Sequence, residues 1–376
     1  MKELSDSIAD ELEKVVQEVN NSILEIMGKR IKYIGELSAT DSIRLSTLVQ
    51  NEDINAINEQ LARITDLTPK QVDLVVQKAA ENNNELMKSL YKANGVKQTD
   101  SLLLQYVKTN AIKNITKDIL NLSNTLGFNF GGTYKTIQRT YVDTINKAIY
   151  SVQSGLVDYN TAMRSTIHHL SKSGIQTVDY ASGYSRRLDS AVRMNLLDGV
   201  RAFNTDYREQ QGKEFGADGV EVSSHAAPAP DHAFIDGRQF TTKEFESLQA
   251  TLERPIGTMN CRHTTFPIII GLSEPVMSQK ELKIRDKKAN ELVSFKGLSG
   301  RTLKKPRYEL EQYQRGVETS IRKMKDERNM LKASGDELGR KAINKEIRAK
   351  TQEYYRISEE MGLAPQKTRL ISHILQ

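Results

Sequence analysis

His225, His232, Cys261 and His263 are the residues best suited to chemistry, with Asp231 and Asp236 among them. Three of the six histidines and the single cysteine fall between residues 225 and 263. In an extended segment Cys261 and His263 share one face, because side chains alternate with a period of two. Two further imidazoles would complete the four N/S ligands of a tetrahedral zinc shell, which leaves no position for a catalytic water. The spacing matches no standard zinc finger, and hydrogen bonds in a loop-rich module would satisfy the same side chains without metal. Zinc and a hydrogen-bonded cluster are both open. Hydrolysis would also require a general base beside an open coordination position, with Glu221 and Asp231 as candidates.

Other sources of chemistry are sparse. No phosphate-binding P-loop, dinucleotide-binding glycine turn, nucleophile elbow, zinc-protease helix or EF-hand loop occurs. His168 and His169 are neighbours in a helical stretch and point about 100° apart, so they read as surface and core residues. One cysteine excludes an intramolecular disulfide and an all-cysteine metal site, and fits a reducing compartment.

The elements that must position the cluster fall into three zones. Residues 1–210 contain one proline and read as consecutive helices. Ile8, Leu12, Val15, Val19, Ile23 and Ile26 recur at helical spacing and form a stripe that needs a partner. Thr68-Pro69 and Ser101 read as helix starts, and Gly131-Gly132 and Gln153-Ser154-Gly155 as interruptions. Residues 211–275 hold five of the eight prolines and read as a small α+β module. There Val220 onward alternates as a strand, and Asp236-Gly237 signals a two-residue β-hairpin. Thr241 and Glu244 have capping-box spacing, and the run from Phe266 reads as an edge strand because Pro267 cannot donate to a ladder. Residues 276–302 read as a linker. Residues 303–376 read as a basic αα-hairpin and tail, with stripes Leu310, Tyr313, Val317, Ile321, Met324 and Leu338, Ala342, Ile343, Ile347, Tyr354 on either side of Ser334-Gly335-Asp336.

The 376 residues include 27% charged residues, 38% hydrophobic residues and no tryptophan, a balance that favours long helices with much exposed surface over one large globule. No stretch reaches the 18 apolar residues of a membrane span, and residues 1–20 lack a signal peptide's layout, so synthesis in a cytoplasm is expected. The net charge of +6 is unevenly spread: residues 276–376 carry 24 Lys and Arg against 14 Asp and Glu. Arg322, Lys323, Lys325, Lys345, Arg348 and Lys350 are the candidates for nucleic-acid contact, and a merely solvated helix face is the competing explanation.

Taken as a set, these residues have a counterpart. Glu221 to His225, Asp231-His232, Phe234 to Phe240 and Asn260-Cys261-Arg262-His263, with Pro267 and Gly271 to Ser273, resemble the phage minor capsid protein 2 family of tailed bacteriophages. Val178 to Gly183 and Ala191 to Arg193 resemble its preceding helical segment; Tyr308 to Gln312, Ile321 to Lys325, Gly335-Asp336 and Tyr354 to Gly362 resemble its C-terminal region. The sequence departs at Ala227 to Pro230, where the family has Arg-Pro, and at Phe234, where it has Trp. The resemblance covers about residues 175–370, and the N-terminal 170 residues carry no assignable motif.

The resemblance implies a low-copy structural protein of the phage head, made in the host cytoplasm and associated with the portal protein and other head proteins during assembly and DNA packaging. The expected fold is mainly α, with an N-terminal portal- or capsid-binding helical region, a central α+β module and a C-terminal basic hairpin able to touch packaged DNA. Catalysis is not expected. The alternative is a DNA-binding or metal-dependent DNA-processing virion protein, with a toxin-like activity behind it.

Overall fold

The computed structural model describes residues 2–33, 49–93, 95–130, 133–178, 185–225, 227–259, 261–296, 300, 302–363, 365 and 367–370. The protein is mainly helical, with small antiparallel sheets. It forms two compact units, each drawn from three separate stretches: residues 1–9, 69–118 and 193–312 in the first, and 10–68, 119–192 and 313–376 in the second.

In the second unit, α1 (Lys2–Lys32) carries the predicted stripe, with Leu12, Val19 and Ile23 fully buried and Val16 and Met27 beside them. Helices α9 (Arg307–Ser334) and α10 (Glu337–Glu360) form the expected αα-hairpin. Gly335 takes a left-handed φ of 81°, and Asp336 caps α10 by accepting from the Gly339 amide at 2.9 Å. The arms are tied by Tyr313 donating to Glu353 at 2.8 Å and Gln314 donating to Ser358 at 2.7 Å. Leu338, expected in the stripe, is instead 73% exposed. Gly28 lets α1 and α9 approach, since a Cβ there would lie 2.9 Å from the Met330 carbonyl.

The all-helical expectation for residues 1–210 needs correction. Strands β1 (Leu126–Phe130), β2 (Thr133–Thr136), β3 (Gln176–Val178) and β4 (Ser185–Arg187) form a sheet in the order β2-β1-β3-β4, around α4 (Ile137–Gln153) and α5 (Tyr159–Ser173). Gly131-Gly132 lies outside the described residues. Thr68-Pro69 does not start a helix either: α2 (Ile54–Ala93) runs through it. The buried Thr68 hydroxyl donates to the Ile64 carbonyl at 2.6 Å, so the residue that looked like a cap bonds backward within the helix. Ser101 does cap α3 (Leu102–Asn124), accepting from the Leu104 amide.

The first unit contains the central module. Strands β5 (Gly219–Val222), β6 (Gln239–Thr241) and β7 (Thr265–Ile268) form a sheet in the order β6-β5-β7, so the proline-bearing β7 is an edge, as expected. The predicted capping box between Thr241 and Glu244 opens α7 (Thr242–Thr251). The hairpin is not the two-residue one read from Asp236-Gly237. β5 pairs with β6 across a long connection that carries His225 and His232, and Gly237 (φ 68°) sits at its far end. The buried core is small: Val222, Ile235, Phe245, Ile256 and Cys261. Arg208 of α6 (Leu188–Glu214) anchors β7, with its guanidinium donating to the Thr265 carbonyl and to Asn83 and lying 4.5 Å above the Phe266 ring. Where a linker was expected, residues 276–302 build α8 (Gln279–Asn290) and β8 (Leu292–Lys296), which pairs with β9 (Thr302–Pro306).

Candidate metal centre

The connection from β5 to β6 and the segment entering β7 bring three predicted ligands together. His232, Cys261 and His263 are all buried, and one ligand atom from each lies within 4.8 Å of the others. Cys261 Sγ is 3.4 Å from His232 Nδ1 and 3.3 Å from His263 Nδ1. A tetrahedral zinc with ordinary Zn–S and Zn–N bonds sets S and N about 3.6 Å apart. The observed separations are close to that edge.

The far side of each imidazole is engaged. His232 Nε2 lies 2.6 Å from the Arg254 carbonyl, to which it can only donate. His263 Nε2 lies 2.9 Å from Asp236 Oδ1. With Nε2 engaged on the far side, Nδ1 is the ring nitrogen that each histidine turns toward the sulfur, the position from which it would ligate a metal after losing any proton there. Asp236 is itself held by the Ser224 hydroxyl at 2.5 Å and the His225 amide at 2.7 Å, and Arg285 donates to Ser224 at 2.6 Å. The group could therefore hold a metal ion, with Asp236 orienting one ligand from behind.

Without a metal ion the same contacts favour a Cys261 thiolate beside a charged His263, whose Nδ1 proton a bound cation would displace. Burial alone would lower His263, yet its bonds to Asp236 and Cys261 push it up to about 9. Burial works to raise the Cys261 thiol, and the His263 hydrogen bond reverses this and lowers it. Thiolate character is thus already favoured at Cys261. Burial lowers His225 to about 4, with the charge of His263 adding to the effect.

His225, the fourth predicted ligand, stands beside the other three. Its ring centroid is 4.3 Å from that of His263, and its Nε2 is buried with no hydrogen-bond partner. His225 is thus adjacent to the group but not part of it: among the described residues only His232, Cys261 and His263 bring ligand atoms within 4.8 Å of one another. Asn260 lies outside the described residues.

The two candidate bases are occupied elsewhere. Asp231 forms a bidentate pair with Arg254 at 2.9 and 2.7 Å, and Glu221 accepts from Gln239 at 2.8 Å and from the Val276 amide at 3.1 Å. The second predicted site separates as well. Arg322 is buried and pairs with Glu13, Asp189 and Glu318 in the second unit, where Arg187 bridges Asp189 and Asp326 at 3.3 and 2.7 Å. Despite burial, which opposes it, Arg187 and Arg322 hold Asp189 well below the usual carboxylate range. Lys325 donates to the Leu370 carbonyl, and Lys350 pairs with Glu353 at 2.9 Å. Lys323 is half-buried, whereas Lys345 and Arg348 are exposed. The Lys and Arg excess of the C-terminal region singles out Arg322, but its burial depends on Glu13 of α1 and Asp189 of α6, far away in sequence.

Comparison with known proteins decides the family. The sequence model of phage minor capsid protein 2 matches residues 3–356. The chain belongs to that family. The match reaches far N-terminal of residue 175, where the legible motifs began, and takes in the N-terminal helices of this minor capsid protein 2 member. No curated protein and no solved structure matches it. Among the described residues no helix of this family member is long and apolar enough to cross a membrane.

Proposed function

We propose that this phage minor capsid protein is a low-copy, non-enzymatic structural component of the virion head that associates with the portal protein and other head proteins during assembly and DNA packaging. The observation that carries the reading is family membership over residues 3–356. Two features support it. Leu102, Leu103 and Tyr106, within the region expected to bind the portal, are 83%, 51% and 63% exposed at one end of α3, as suits a helix that docks on another protein. The candidate bases near the His/Cys group are tied up in ion pairs and backbone bonds, which suits a structural metal better than a hydrolytic one.

In this reading the His232, Cys261 and His263 group holds a zinc ion that clamps loops around a small buried core. Contact with packaged DNA through the basic C-terminal region keeps two exposed carriers on α10, Lys345 and Arg348. The deciding experiment is quantitative protein measurement on purified particles. A low, fixed ratio of this chain to the portal protein is expected; its absence from particles refutes the reading. Elemental analysis of protein purified without chelator should give one zinc per chain, and none in Cys261→Ser.

A further inference from the structure

Helix α8 has an arrangement that the fold does not explain. Its twelve residues bury one side chain, Leu282, which reaches the Ser224 and Gly237 backbone turn. Arg285 donates to Ser224 at 2.6 Å, and Asp286 lies 3.8 Å from Arg238. At 100° per residue, Leu282, Arg285 and Asp286 occupy one side of the helix, and Lys280, Lys283, Lys287 and Lys288 spread over the other. All four lysines are exposed, and none has a carboxylate partner among the described residues.

Helix stability does not account for them. Lys287 and Lys288 stand in the last turn, where cations favour the helix dipole. Lys280 stands in the first turn, where a cation opposes the same dipole, and Lys283 gains nothing from either end. Four like charges on one face of a short helix also repel each other. A polyanion relieves that repulsion.

We propose that the lysine face of α8 is a binding surface for the phosphate backbone of duplex DNA. The four ammonium groups span about 12 Å along the axis, and duplex DNA offers about one charge per 1.7 Å, so all four can meet phosphates at once. The helix has no aromatic side chain to stack on a base, and its lysines meet phosphates as flexible point charges, so binding is independent of sequence. The choice of DNA as the polyanion rests on the head-protein reading above. The site is distinct from Lys345 and Arg348 of α10, the carriers expected on the basic hairpin.

The test measures the affinity of the full-length protein for a 30-base-pair duplex as a function of salt. Engagement of four lysines gives a slope of log K against log salt of about −3.6. The quadruple variant Lys280→Ala, Lys283→Ala, Lys287→Ala, Lys288→Ala should lose nearly all of that slope, and the matching quadruple Lys→Arg variant should keep it. Lys345→Ala with Arg348→Ala removes at most the further slope of about −1.8 that those two carriers would add, and should leave the α8 share in place. An unchanged slope in the alanine quadruple, or equal binding of poly-glutamate at matched charge, overturns the proposal. Particle incorporation of the alanine quadruple is scored separately. An incorporated variant that no longer binds duplex leaves the head-protein reading intact, and a wild-type chain that binds duplex but is absent from particles refutes only that reading.

Discussion

Asp236 decides which way His263 presents its ring, because a carboxylate behind Nε2 fixes the hydrogen there and leaves Nδ1 to face Cys261. Asp236→Asn keeps the shape and removes the charge, so zinc affinity should fall about 10- to 100-fold, read by competition with a chromophoric chelator. Unchanged affinity would show that Asp236 only packs the turn. His263→Ala should cost more, with loss of the metal and a melting temperature that no longer responds to added zinc. The convergence of His232, Cys261 and His263 was legible, since Cys-x-His in an extended run and nearby histidines form a recognisable donor set. Asp236 was misread, because Asp-Gly is so strong a turn signal that it hides a carboxylate whose real partners, Ser224 and His263, stand 12 and 27 residues away.

At the level of elements, α10 begins on Asp336, which caps the helix and receives Arg164 in a bidentate pair at 2.5 and 3.0 Å. The Arg164 hydrogen bond, as the largest influence, lowers the Asp336 carboxyl from its usual value. A group depressed in the folded state adds stability above its unfolded value of about 3.9 and loses it as pH falls through the folded one. Asp336→Ala should therefore destabilise by about 1 kcal/mol at neutral pH through the lost cap, and by less as the pH is taken below 4, measured by urea unfolding. Within α9, Arg322→Ala removes a buried guanidinium shared by Glu13, Asp189 and Glu318 and should cost about 3–5 kcal/mol, whereas Lys345→Ala on the exposed face of α10 should cost almost nothing. The αα-hairpin was legible from its stripes, its Gly335 stop and its Asp336 cap, because all three are local. Strands β1 to β4 were not, since runs of three to five residues carry too little alternation to stand out from flanking helices.

For the whole molecule, periodicity shows that α1 has an apolar face but not what covers it, so the division of the chain into two interleaved units could not be read from any single stretch. In the second unit Asn20 donates to Asp326 across 306 residues of sequence, and Glu13 pairs with Arg322 across 309. A chain ending at Gln312 should therefore leave residues 10–68 exposed to limited proteolysis under conditions in which the full chain resists; equal resistance would mean that those residues hold their structure without α9 and α10. Translation gives the same separation a duration. At about 5–20 residues per second, roughly 15 to 60 seconds pass between synthesis of Asn20 and of Asp326. Throughout that interval α1, with its stripe of Leu12, Val19 and Ile23, has left the ribosome while the α9 residues that Asn20 and Glu13 meet in the folded chain are still unmade.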